Sequence, residues 1–450
     1  MNCLTSNSEI VLSTAMGPSM TLREQERRGT SLLGTVFLII NSTLGAGLLN
    51  FPQAFDKSGG IATAIIIQFA FLVIITATLI ILANCSNITN TVTVQNVLAE
   101  LCGAKYLTLC SLCVIIYSFG CCITFLIIIG DQFDRVFATF YGANFCHYWY
   151  LSRPFVISLT CVAFILPLCF FKRLDMLSST SCLGCGTIVY VTTLIIYQYF
   201  ALDNTPKSMK IWPEMGTEAL QIVPIICFAY QSHMTAIPTY SCMKNRQVGR
   251  FGVCAIISMI ICFLVYSVVG IFGYATFGIG KVPSDILQGY TDKSAVLTIA
   301  IISVAIKNFT TYPIVLLCGR EALFGLIKRD TDANNTARIL FTVLWFFSSL
   351  VIAILVPDIA PVISLLGCLS AAFIFLFPGI CLFQSTLLKD PELFLNKDKL
   401  LIGISIFIIA LGAFVCGVVL MEAFNDLSST PSKPRLITGF RINLKESLCI

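Results

Sequence analysis

The chain has 450 residues, 57% of them hydrophobic and 11% charged, with a mean hydropathy of +0.90. Soluble domains carry about 25% charged residues, so this chain cannot coat a water-facing surface and part of its solvent must be lipid. The formal net charge is only +5, and no basic cluster is interleaved with aromatic residues; nucleic acid is not an expected partner.

Residues 1–30 form a polar leader rich in Ser, Thr and Asn, ending in Arg23, Glu24, Glu26, Arg27 and Arg28. It reads as disordered and tolerant of truncation. The apolar run behind it is too long for the core of a signal peptide. A helix that crosses a bilayer needs about 20 mostly apolar residues. Eleven runs meet or approach that, at 31–55, 60–83, 107–130, 155–171, 180–202, 220–241, 251–275, 295–318, 339–356, 362–384 and 400–421. Only the eighth contains Asp, Glu, Lys or Arg. The runs are continuous rather than alternating, which selects helices over a barrel.

Lys and Arg set the orientation. With the leader in the cytosol, sixteen fall on the cytosolic side and seven in the opposite loops. The bias fits eleven spans and an outward or lumenal tail. Most of the 21 cysteines sit in apolar runs, where Cys acts as a small hydrophobe. The pairs Cys110/Cys113 and Cys182/Cys185 sit at membrane depth with no His or carboxylate cluster beside them, so a zinc or redox role is the lesser reading. An outer disulfide, if present, joins Cys146 and Cys449. The glycosylation sequons at Asn84, Asn87 and Asn334 fall in loops assigned to the cytosol, and those at Asn41 and Asn308 fall in spans.

Three spans depart from plain apolar helices. Span one carries Asn41-Ser42-Thr43-Leu44-Gly45-Ala46-Gly47, then Pro52. Two mid-span glycines favour unwinding, and the proline removes a helical hydrogen bond. Broken backbone at this depth is tolerable where it lines protein or a wet cavity, and its freed amides and carbonyls can bind a zwitterion or an ion. Close helix packing through small residues accounts for the glycines equally well. Span six carries Pro224, Pro238 and the polar centre Tyr230-Gln231-Ser232-His233. Spans one and six hold matching places in two inverted five-helix repeats, and paired interruptions of that kind point to a transporter site. His233 either changes protonation, contacts cargo or packs as a neutral hydrogen-bonded ring. Span eight carries Lys307-Asn308-Phe309-Thr310-Thr311-Tyr312-Pro313. Lys307 is a formal charge near mid-span and shares a helix face with Thr311. Such charges usually serve function; snorkelling to an interface is the alternative.

Gly45-Ala46-Gly47-Leu48-Leu49-Asn50-Phe51-Pro52 resembles the first-span signature of the sodium-coupled neutral amino acid transporters, in the amino acid/auxin permease group. Ile127–Gln132, Pro224–Phe228, Thr311–Pro313, Pro357–Ile359 and Phe375–Gly379 resemble further blocks of that family in the same order. The likeness extends to the branch containing the lysosomal glutamine and asparagine exporter. It implies an all-α membrane fold of LeuT type: a first five-helix repeat at 31–202, a second at 203–388, a loop and eleventh helix at 389–421, and a tail at 422–450. It implies alternating access for small neutral amino acids, sodium as coupling ion, and a lysosomal membrane, with the cell surface as the alternative. Thr43, Gly45, Ala46 and Gly47 then hold the cargo's amino and carboxyl groups, and Phe228, Tyr230 and His233 line the side-chain pocket. Asn41, Thr310 and Thr311 fall where sodium ligands are expected. Lys307 departs from the pattern, and its ammonium could stand in for the ion or cycle a proton.

Other classes fit less well. A P-loop signature is absent. A membrane-embedded enzyme needs paired catalytic groups at depth, and the spans offer His233 and Lys307 with no carboxylate. A proton-coupled carrier would draw on Lys307, His233 and Asp131 at a membrane edge. An amino-acid sensor would signal through the leader, which has no apolar anchor stripe.

Overall fold

The computed structural model describes residues 30–141, 148–170, 178–201, 208–213, 218–290, 294–327, 335–356, 360–389 and 395–428. The leader, the end of the tail, Cys146, Cys449, Asn334 and the Pro357–Ile359 block lie outside the described residues.

A helix stands at each of the eleven apolar runs. Span one is interrupted: α1 (Leu32–Thr43) gives way to a 3-10 turn (Ala46–Asn50) and α2 (Phe51–Lys57), with a bend of 53° between the halves. Ser31 caps α1 by accepting the Gly34 amide at 3.1 Å, which satisfies one of the end's unpaired donors. Next come α3 (Ile61–Thr89), a short amphipathic α4 (Val94–Cys102) and the long α5 (Ala104–Tyr141). Gly103, at φ 95°, turns the chain between α4 and α5 in a conformation open to glycine. Then follow α6 (Arg153–Cys169) and α7 (Ser178–Ala201). Span six is interrupted between α8 (Val223–Ala229) and α9 (His233–Ser241). The chain continues through α10 (Val248–Phe277), a single turn α11 (Ile286–Gly289), α12 (Ala295–Ile327), α13 (Asn335–Leu355), α14 (Ala360–Ala371, extended to Leu387) and α15 (Asn396–Ser428).

Among the described residues nine helices have the length and apolarity to cross a bilayer, and the bent pair α1/α2 makes a tenth. The α6 helix is apolar but shorter. It passes through a π turn at Cys161–Ile165 just before Pro167. A second π turn, Ala372–Leu376, precedes Pro378 in α14. Proline has no N–H and its ring crowds the carbonyl four residues back, and a wide turn there relieves both problems.

The broken spans lie inside. α1 packs against α7, α9 and α10, while α8 packs against α14 and the 3-10 turn of span one. α12 runs along α5, and α3 lies beside α10. Outward faces carry large apolar residues at helical spacing, including Ile66, Phe69 and Val73 on α3 and Val253, Ile256, Ile260 and Leu264 on α10. Such stripes suit lipid, not water.

Candidate functional site

The two breaks meet. In span one the α-helical pattern ends as the Leu44 amide bonds the Ile40 carbonyl at 2.7 Å, and Gly45 then swings to φ −115°, ψ −144°. In span six Tyr230 closes α8 on the Ile226 carbonyl at 2.9 Å, and Gln231 and Ser232 interrupt the helix. The Gln231 Oε1 accepts the His233 backbone amide at 2.9 Å and so caps α9. A Cβ placed on Gly47 would lie 2.6 Å from Ala229 Cβ and 2.9 Å from Ala229 Cα. Glycine at 47 is therefore a close-approach residue: it lets the two interrupted backbones touch.

The predicted pocket residues of span six are enclosed. Phe228 is buried, and Tyr230 and His233 are fully so. The Tyr230 hydroxyl accepts the Gln68 carboxamide at 2.7 Å. His233 Nε2 stands 2.9 Å from Thr78 Oγ1, and Nδ1 stands 3.3 Å from Gln231 Oε1. An amide oxygen only accepts, so Nδ1 is the donor toward Gln231, while the Thr78 hydroxyl also reaches the Ile75 carbonyl at 3.0 Å. Among the described residues no carboxylate forms an ion pair with the ring.

Open space lies on the other side of span one. A small recess there is lined by Gly45, Leu48 and Leu49 of span one, Thr187, Ile188 and Val191 of α7, and Val304, Lys307 and Asn308 of α12. Lys307, only 5% exposed, donates from Nζ to the Leu44 carbonyl at the break. Asn41 sits one turn earlier on α1, buried. It and Lys307 converge on Gly184 of α7, where a Cβ would strike the Asn41 carboxamide oxygen and come within 3.7 Å of Lys307 Cε. Thr310 and Thr311 both donate back to the Lys307 carbonyl, at 2.8 and 2.9 Å, and neither lines the recess. Pro313 interrupts the helical ladder below them. Thr43 likewise turns its hydroxyl onto the Ile39 carbonyl at 2.8 Å. Ala46 opens the 3-10 turn. The structure therefore brings together Asn41, Gly45 and Lys307, and separately Thr43, Gly47, Tyr230 and the Ala229 backbone.

A family profile described as transmembrane amino acid transporter protein matches residues 28–431. The chain belongs to that family. The transporter is 36% identical over 425 residues to the Danio rerio sodium-coupled neutral amino acid transporter 7, covering 91% of each chain. It is 37% identical over 406 residues to the Homo sapiens protein of that name, covering 87% of each. With human solute carrier family 38 member 8 it shares 31% over 368 residues, 78% of this chain and 84% of the other. All of these are named as carriers and none as an enzyme. The crystal structure of MhsT in complex with L-phenylalanine superposes with a TM-score of 0.55 at 16% identity, covering 87% of this chain and 98% of that one. At that identity the likeness concerns the fold.

At one end of α5 the transporter carries a second polar assembly. Arg153, at the start of α6, pairs with Asp131 at 2.6 Å and Asp134 at 3.1 Å. Asp131, predicted as a membrane-edge proton group, is thus an ion-pair member. Nearby, Gln132 donates to Asp285 at 2.9 Å and Arg135 to the Tyr290 carbonyl at 2.6 Å. Asp285 precedes α11, which rests on the 3-10 turn of span one. Burial pushes the Asp285 carboxyl up to about 6; Asp131 adds to this, while Arg135, the Leu287 amide and Gln132 pull it back. The folded state therefore holds the proton more tightly than the unfolded chain, so this group's stabilising contribution is complete below the ordinary aspartate value of 3.8 and is lost as pH rises through about 6. Melting of the purified transporter should thus shift upward between about pH 7 and about pH 5, and Asp285→Asn should flatten that slope. An unchanged slope in the variant would remove Asp285 as its source.

Tyr266, Gln68 and Gly184 escaped the sequence reading. Gln68 is the lone amide within its apolar run, which is a visible signal, but its partner lies 162 residues away.

Proposed function

We propose that the transporter carries small neutral amino acids, glutamine and asparagine among them, by alternating access. The observation that carries this reading is the meeting of two interrupted helices at Gly47 and Ala229. Amides released at a break favour a carboxylate, and released carbonyls favour an ammonium or a cation. On this reading Thr43, Gly45, Ala46 and Gly47 engage the cargo's zwitterion, and Phe228, Tyr230 and His233 border its side chain. The eleven helical runs are eleven spans: inverted repeats at 31–202 and 203–388, then α15. Two interruptions in matching serial places and the likeness to MhsT support that plan. The Lys and Arg asymmetry supports a cytosolic leader, and the resemblance to the exporter branch supports the lysosomal membrane.

The coupling ion on this reading is sodium, held near Asn41, Thr310 and Thr311. The printed names of the relatives support it. A second reading is favoured by Lys307, whose ammonium already occupies the Leu44 carbonyl beside Asn41. There it does a cation's work, and transport is sodium-independent or proton-linked. Uptake of radiolabelled L-glutamine into liposomes, with choline replacing sodium, separates the two. A fall of about tenfold or more selects sodium; uptake that persists selects the lysine. No uptake of any neutral amino acid in either salt would overturn the carrier reading. Asn41→Ala and Thr311→Ala should each lower uptake several-fold or change its ion dependence, with the protein still folded. Unchanged kinetics in both would remove the ion site.

A further inference from the structure

Tyr266 belongs to α10, outside both interrupted spans. Its hydroxyl lies 2.8 Å from the Thr43 carbonyl and 2.9 Å from the Ala229 carbonyl. Thr43 is the last residue of α1 and Ala229 the last of α8, so these are the carbonyls at the two breaks. A phenol has one proton and gives it to one acceptor at a time. The Thr43 carbonyl also accepts the Gly45 amide at 2.9 Å, so when the phenol turns to Thr43 it is the Ala229 carbonyl that faces oxygen lone pairs with no hydrogen between. The ring is firmly placed: it stacks on Phe51 at 4.1 Å and lies 5.0 Å from Tyr230, fully buried. Phe51 opens α2, so Tyr266 grips span one on both sides of its break and span six at the end of its first half.

We propose that Tyr266 is a positioning residue for transport: its hydroxyl yokes the two breaks, presets the spacing of the Thr43 and Ala229 carbonyls, and leaves one of them ready for a donor on the cargo. The proposal rests on the reading that spans one and six grip the amino acid. An ammonium carries several N–H groups and completes the carbonyl that the phenol leaves unfilled. Without the hydroxyl the ring still packs, but the spacing of the breaks is no longer set, and cargo binding must order them. Preset geometry of this kind acts on affinity.

The test measures L-glutamine uptake by the full chain in liposomes for the wild type, Tyr266→Phe and Tyr240→Phe. Tyr240 supplies the matched control, because it too is a fully buried tyrosine on one hydroxyl bond, to Asn87 at 3.1 Å. Tyr266→Phe should raise KM by about tenfold or more, with a smaller change in the maximal rate and a melting temperature no lower than that of Tyr240→Phe. Tyr240→Phe should keep KM within about twofold. Incorporating 3,5-difluorotyrosine at 266 keeps ring and hydroxyl and should restore the KM, which also answers the case in which Tyr266→Phe does not accumulate. Equal KM values for all the proteins, with only melting affected, would overturn the proposal and leave Tyr266 as packing. Absence of uptake by the wild type would overturn the transport reading itself.

Discussion

Replacing Gly47 with alanine should cut L-glutamine uptake by at least about tenfold. The added Cβ would stand 2.6 Å from Ala229 Cβ and 2.9 Å from Ala229 Cα, and the second of these is backbone. No side-chain rotation relieves that contact, so the breaks of spans one and six must separate. Overpacking of this sort costs about 1–3 kcal/mol, and each 1.4 kcal/mol is roughly a tenfold change in an equilibrium. The cost falls on the arrangement that places the Thr43 and Ala229 carbonyls together. Gly417→Ala is the comparison, because a Cβ there meets open space. It should leave uptake unchanged. Normal uptake by Gly47→Ala would mean that the two breaks need not touch at any stage of transport.

What could be read from sequence was what depends on local composition. Apolar length located a helix at every run, because a bilayer demands internally paired backbone over a fixed thickness. The glycine pair at 45 and 47 and the residues after Pro224 marked the interruptions, because those residues weaken a helix wherever they occur. The contents of the site were less legible. Tyr266 looks like one more aromatic in an apolar run, and its two acceptors lie 223 and 37 residues away in sequence. His233 left its role open, and its neighbours Thr78 and Gln231 were not legible from its own run of residues. Phe228 and His233 were expected to border a pocket with span one. In the structure the breaks meet at Gly47 and Ala229, and a small recess lies on the side of α7 and α12. The short α4 was missed because it is amphipathic and too brief to register as a span.

Removing the charge of Lys307 should have the other large effect: Lys307→Met is expected to lower uptake by about thirtyfold or more while the protein still purifies as a folded species. The ammonium is buried, its Nζ donates to the Leu44 carbonyl, and among the described residues no carboxylate forms an ion pair with it. An isolated charge at membrane depth is costly, so its retention at the edge of the span-one break needs a return in function. A charged hydrogen bond of this kind contributes about 1.5–3 kcal/mol. Methionine fills the stem's volume but offers no donor, and the Leu44 carbonyl is left without its ammonium where the helix has already stopped. Lys307→Thr then asks what the ammonium replaces. Threonine is smaller and brings an oxygen, so it clears room beside Asn41 and Leu44 for a hydrated or bare cation. If the lysine does the work of an ion, uptake by Lys307→Thr should recover in sodium and fail in choline, whereas the wild type tolerates both. If sodium already binds elsewhere, the wild type itself should fail in choline and the threonine variant should gain nothing from added sodium. Uptake by Lys307→Met equal to that of the wild type would show that neither the charge nor its hold on the Leu44 carbonyl matters to transport.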